Sequence, residues 1–153
     1  MATSVKGLKE LNEKLRRMPI AAKETARASV MQGATDLVNL QRQLVPVDKG
    51  DLRESIVATP PGGTTPPYSQ PGGSKTAGPL QAIVTAGNTN VRYAHLVEFG
   101  VAPHVNGGLF QGSQNPGAPA QPYFWPAYRA LRTRIRSRIS RNINKAIKDE
   151  YKK

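Results

Sequence analysis

Cysteine is absent from this chain, which excludes a disulfide scaffold and thiolate zinc sites and fits synthesis in a reducing cytoplasm. Histidine is almost absent, with only His95 and His104. Carboxylates number ten against 22 lysines and arginines, so there is little material for paired-carboxylate chemistry. Aromatics make up only 6% of the chain. No apolar run approaches the ~20 residues of a membrane span, and the N-terminus lacks the apolar stretch of a signal peptide. The expectation is a soluble, unexported protein. What is plentiful is glycine and proline, 14 and 13 of 153 residues, well above average usage. That composition predicts one domain over 1–153 with a modest core and long irregular loops.

The positive charge is concentrated. Of the net +12, residues 126–153 hold ten cations against Asp149 and Glu150, a net +8 at one end. Such a field suggests a polyanionic neighbour or an acidic protein surface. The same segment is the clearest helix, from about Phe124 to Tyr151, with Pro122 or Pro126 in its first turn. Leu131, Ile135, Ile139, Ile143 and Ile147 recur every four residues. At ~100° per residue this stripe drifts ~40° per step, so the helix must wrap its own domain or dock on another subunit. Arg134, Arg138, Arg141, Lys145, Lys148 and Lys152 share a second face. A solvated exterior is the plain reading of that face; its single sign favours an anionic partner.

Upstream, Val5, Leu8, Leu11, Leu15 and Met18 predict an amphipathic helix capped by Ser4 and stopped by Pro19. Ala22, Ala26, Val30, Leu37, Leu40 and Leu44 predict a second helix from Ile20 to Leu44, with Gly33 a tolerated weak point. Pro46 disfavours helix at Val45. "LRESIVAT" then reads as a turn followed by an extended stretch. Residues 60–78 hold five prolines and five glycines and read as a mobile arm. "LQAIVTAG" alternates as a strand closed by "GNTN", "VRYAHLVEFG" as a short helix, and 100–122 as a second loop.

"YAHLVEFGVAPH" gathers both histidines around Glu98. A zinc site would need ligands converging on one point. His95 and Glu98 can share a helix face, but His104 lies beyond Gly100 and Pro103. Glu98 has no acidic neighbour within forty residues on either side, which leaves a carboxylate pair unsupported. The residues read more simply as structure. Tyr93, Leu96, Val97 and Phe99 pack, Phe99 is buried, Glu98 is satisfied by a basic side chain or backbone N–H, and Gly100 turns the chain. No catalytic, metal or cofactor site is assigned.

Three stretches in order carry a resemblance. "VPVDKGDLRESI" presents Pro46, Asp48, Gly50, Leu52, Arg53, Ser55 and Ile56, "YAHLVEFG" a Tyr-Ala-x-x-x-Glu-Phe-Gly core, and "PYFWPAYRAL" a Pro-x-Phe-x-Pro-Ala opening to the last helix. Together they resemble the head–tail joining or tail-completion (neck) proteins of long-tailed bacteriophages and prophages. Lys49 stands where that family usually has threonine. The resemblance implies an α+β fold, with N-terminal helices and a long C-terminal helix packed on a small antiparallel sheet. It implies no enzymatic activity and no cofactor. It further implies a ring, commonly sixfold, in the virion neck, assembled in the host cytoplasm. The ring's neighbours would be a head connector or stopper and a tail tube or terminator, with DNA passing through and no membrane involved. Pro46, Gly50, Leu52, Tyr93, Glu98, Phe99, Gly100, Phe124 and Pro126 would then serve structure or subunit contacts, joined by Ile135, Ile139 and Ile143 of the seam. The alternatives are a tail terminator ring capping the tube, a basic DNA-binding architectural protein, and a small hydrolase.

Overall fold

The computed structural model describes residues 8–152. Two long helices dominate it, α1 (Leu8–Leu44) with 37 residues and α4 (Phe124–Lys152) with 29. At 1.5 Å per residue they are about 55 and 43 Å long. They run antiparallel. The Gln41 side-chain amide donates to the Phe124 carbonyl at 3.3 Å, Gly33 faces Ile135, and Asn142 donates to Ser29 Oγ at 3.0 Å.

The expected break at Pro19 does not occur, and α1 continues through it. Proline's fixed φ suits a helix; what it lacks is an N–H for the carbonyl four residues back. Pro19 is exposed, so water can satisfy that carbonyl. Ser4 and Val5, read as cap and seam of this helix, lie outside the described residues, as do the side chains of Leu8, Leu11 and Leu15.

Between the long helices the chain makes small elements. α2 (Asp51–Glu54) opens at Gly50, whose φ is 93°. β1 (Val57–Thr59) and β2 (Ile83–Thr85) pair antiparallel with Ala58 opposite Val84. Asn88 Oδ1 accepts from the N–H groups of Asn90 and Val91, which closes the turn after β2. α3 (Ala94–Phe99) follows. The fold is α+β, as expected.

The reading of 60–78 as an arm without packed structure is corrected. Its two halves pair with each other, Ala77 N–H donating to Gly63 O and Thr65 N–H to Lys75 O, both at 2.8 Å. Gln70 and Ala86 exchange two N–H···O bonds of 2.8 and 2.9 Å that tie the segment to the end of β2. Thr65, Ser69 and Ala77 are buried. Proline-rich chain has less backbone freedom to lose on ordering, and this backbone pairing offsets the remainder. The 100–122 loop likewise contains a hairpin, β3 (His104–Val105) with β4 (Gln114–Asn115).

The core lies at the C-terminal end of α1 and the N-terminal end of α4. Val38 and Val45 of the α1 end meet Leu52, Ile56, Ala86, Val91, Ala94, Tyr123 and Phe124, with Val97 and Trp125 packed against them. Each of the three motif stretches therefore contributes side chains to one cluster. Beyond it α1 and α4 pack chiefly on each other. Leu131, Ile135, Ile139, Ile143 and Ile147 are only half-buried there.

Gly33, read as a weak point, lets α4 approach α1 closely at Ile135. A Cβ on Gly33 would sit 2.6 Å from Ile135 Cγ2. Ile135 is β-branched and stiff about χ1, so it cannot swing aside cheaply. Gly33→Val should cost ~1–3 kcal/mol by overpacking, read as a lowered urea midpoint. Combining it with Ile135→Ala should give a strongly non-additive double-mutant cycle.

Candidate functional site

α4 begins without a cap of its own. Gln121, Pro122 and Tyr123 precede it, and none is a Ser, Thr, Asp or Asn. Its leading N–H groups are satisfied by Glu98, which projects from α3. Tyr123 and Phe124 N–H donate to Glu98 Oε2 at 2.7 and 2.8 Å, and Trp125 N–H donates to Oε1 at 3.1 Å. The next residue, Pro126, has no N–H to satisfy. Glu98 is 5% exposed, so these charge-assisted bonds form away from water. Its negative charge also meets the positive end of the α4 dipole.

Several contacts hold α3 in place for this clamp. Gln121 N–H donates to the Val97 carbonyl at 2.8 Å, and the Tyr123 hydroxyl donates to the Ala94 carbonyl at 3.4 Å. Gly100 (φ 75°) sits so close to the returning chain that a Cβ there would lie 2.7 Å from Ala120 N. Burial, followed by the negative charge of Glu98 and the neighbouring Tyr93, pushes the Tyr123 phenol well above the ordinary tyrosine range.

The first motif is fastened separately. Ser55 Oγ donates to the Leu52 carbonyl at 2.7 Å and accepts from Gly87 N–H at 3.0 Å. The Arg42 guanidinium donates twice to the Ile56 carbonyl, at 3.2 and 2.8 Å. Leu52 is buried and Pro46 half-buried.

Two expectations fail here. Phe99 is not buried; it is 68% exposed, and Tyr93 and Leu96 are exposed as well. Positions three and four apart share a helix face. Ala94, Val97 and Glu98 take the inward face of α3, which turns His95, Leu96 and Phe99 outward. Arg138 does not belong to the free basic face. Half-buried, it forms an ion pair with Asp36 of α1 through Nη2 and Oδ2, while Arg134, Arg141, Lys145, Lys148 and Lys152 remain exposed. Phe124 is buried at the head of α4 and Pro126 is half-buried behind it.

For acid–base chemistry the arrangement offers little. Both Glu98 oxygens are engaged by backbone N–H groups. His95 is exposed, and His104 is exposed with Nδ1 3.0 Å from the Ala102 carbonyl. Among the described residues no three His, Cys, Asp or Glu side chains gather where they could hold a metal ion.

A family model described as "Bacteriophage HK97-gp10, putative tail-component" matches residues 9–100. The chain belongs to the HK97-gp10-like family. The matched span runs from α1 through Glu98 to Gly100, and the hairpin and α4 follow it. No curated protein and no solved structure matches the chain. As a member of the HK97-gp10-like family the protein is a structural tail component of a phage virion, made to contact other virion proteins. That accords with the resemblance seen in the sequence motifs.

The sequence reading anticipated that Glu98 is satisfied, with backbone N–H as one option, but missed its partner. The available signal was the uncapped start of α4. Asp36, Ser29 and Gly33, which hold α4 against α1, were also missed. Ala22, Ala26, Ser29 and Gly33 are small residues at helical spacing, a pattern that marks close approach of a neighbouring helix.

Glu98→Ala should destabilise the fold by roughly 3 kcal/mol or more, because it strands N–H groups that water reaches poorly. Glu98→Gln should recover part of this, since its amide keeps one accepting oxygen. Denaturant titration distinguishes the three proteins. The Tyr123 phenol holds its proton more tightly folded than unfolded, so its contribution is whole below about pH 10 and falls as pH rises beyond that. Tyr123→Phe should flatten the alkaline loss of stability in unfolding curves measured across that range.

Proposed function

We propose that this tail component forms a closed ring, commonly sixfold, at the head–tail interface, with the whole chain acting as one unit. The ring sits between the head connector or stopper and the tail tube or terminator, and DNA passes through its channel. The observation that carries this reading is the seam of α4. Leu131, Ile135, Ile139, Ile143 and Ile147 are half-covered by α1, and a neighbouring subunit can bury the remainder. The Glu98 clamp and the motif residues Pro46, Gly50, Leu52, Gly100, Phe124 and Pro126 set the angle at which that seam is presented. Phe99 on α3 and Tyr93 just before it, both exposed, are placed for subunit contacts. A tail terminator ring capping the tube uses the same features, and a micrograph of labelled particles separates the two positions.

The exposed cations of α4 favour a second role for that helix, contact with an acidic virion protein or with DNA phosphates. Replacing Arg134, Arg141, Lys145 and Lys148 with Gln should leave the fold standing, because exposed charges contribute little to stability. It should weaken joining of heads to tails, and raised salt, which screens charges beyond about 10 Å, should produce the same defect. Mutant lysates should then show filled heads and free tails lying apart in electron micrographs. Normal infectious particles from this variant would reduce the basic face to a solvated exterior. Salt-sensitive DNA binding by the free monomer would instead favour the architectural DNA-binding reading.

A further inference from the structure

From Phe99 to Tyr128 the chain contains no Lys, Arg, Asp or Glu, thirty residues in succession within a protein of net charge +12. The β3–β4 hairpin lies inside this stretch, and it is built rather than loose. At its root Val101 and Ala118 exchange two N–H···O bonds of 2.9 Å. Toward the tip Asn106 N–H donates to Ser113 O at 2.9 Å, Gly112 N–H to Asn106 O at 3.1 Å, and Ser113 Oγ to the Phe110 carbonyl at 2.7 Å. This frame holds two large apolar side chains in water: Leu109 is 99% exposed and Phe110 72%. Exposing such side chains on an ordered stalk has a purpose when a partner receives them.

The same chain carries a receptor for them. A cleft of about 430 Å³ lies between α1, β2 and α4, lined by Val30, Leu37, Val84 and Ile139, with Arg132 and Arg136 among its walls. Copies of a strongly basic chain repel one another, so a segment carrying cations is a poor occupant for a cleft walled by arginines. The hairpin carries none. Its Asn106, Gln111 and Gln114 side chains and tip carbonyls offer hydrogen-bond acceptors to guanidinium groups while Leu109 and Phe110 supply apolar surface.

We propose that the Leu109–Phe110 tip of one copy inserts into the α1–α4 cleft of the next. Tip and cleft are different patches of one chain, so the contact is head-to-tail and closes into a ring when the rotation between copies allows. The inference rests on the ring reading in requiring copies to associate, and is independent of where in the virion the ring sits.

The test uses the full chain. Leu109→Ser with Phe110→Ser changes side chains that face solvent and adds no charge the cleft arginines could attract, so circular dichroism and melting temperature should match wild type. Light scattering after gel filtration should show the wild type as an oligomer and this variant as a monomer. Because the protein has no native cysteine, Leu109→Cys and Ile139→Cys chains can be mixed and oxidised. A disulfide-linked heterodimer should dominate over either homodimer. A tip variant that assembles like wild type, or crosslinks distributed equally among all pairs, overturns the docking and leaves the ring reading standing. A wild type that stays monomeric in concentrated solution overturns both.

Discussion

The Glu98 carboxylate fixes where α4 begins, and the placement of nearly everything else depends on that point. It accepts N–H groups from three consecutive residues, Tyr123 to Trp125, across a sequence gap of about 25 residues. The bonds connect the short helix α3 to the longest run of cations in the chain. They also position Tyr123 and Phe124, which complete the core opposite Val38 and Val45. This side chain thus ties the family-matched span to the first turn of the helix that follows it. The arrangement explains why a glutamate stands in an otherwise apolar inward face.

How much of this was legible in the sequence depended on the range of the forces involved. The helix from Phe124, the turn opening "LRESIVAT" and a strand within "LQAIVTAG" follow from local pattern, and the structure has all three, with the strand shortened to Ile83–Thr85. Pro19 misled because a proline's cost in a helix depends on whether its orphaned carbonyl meets water, which sequence does not reveal. The 60–78 segment misled because composition reports turn content but not whether two turn-rich halves pair. Phe99 misled for another reason. Its bulk suggested burial, yet the helical register that takes Glu98 inward turns the neighbouring residue outward. Long-range polar contacts such as Asp36 with Arg138 leave no local trace.

Charge and packing divide the chain into regions with different tasks. Cations run along α4 from Arg129 to Lys152, and Arg138 is withdrawn from them to pair with Asp36 of α1. The hairpin and the head of α4 carry no charge at all. Family membership assigns the protein to the phage tail. Under the ring reading proposed above, this division gives contact with like-charged copies and contact with an oppositely charged neighbour separate surfaces.

The anchoring of both long helices at one end makes the pair a lever. α4 is held at Tyr123–Trp125 and extends about 40 Å beyond, with α1 beside it and tied to the same core. A tilt of about 5° at the clamp therefore carries Lys152 through ~4 Å, given the rise per residue of a helix. Angular tolerance too small to disturb the Glu98 hydrogen bonds becomes a displacement comparable to a side chain at the tip. A shift at the far end of α4 thus needs no rearrangement of the core.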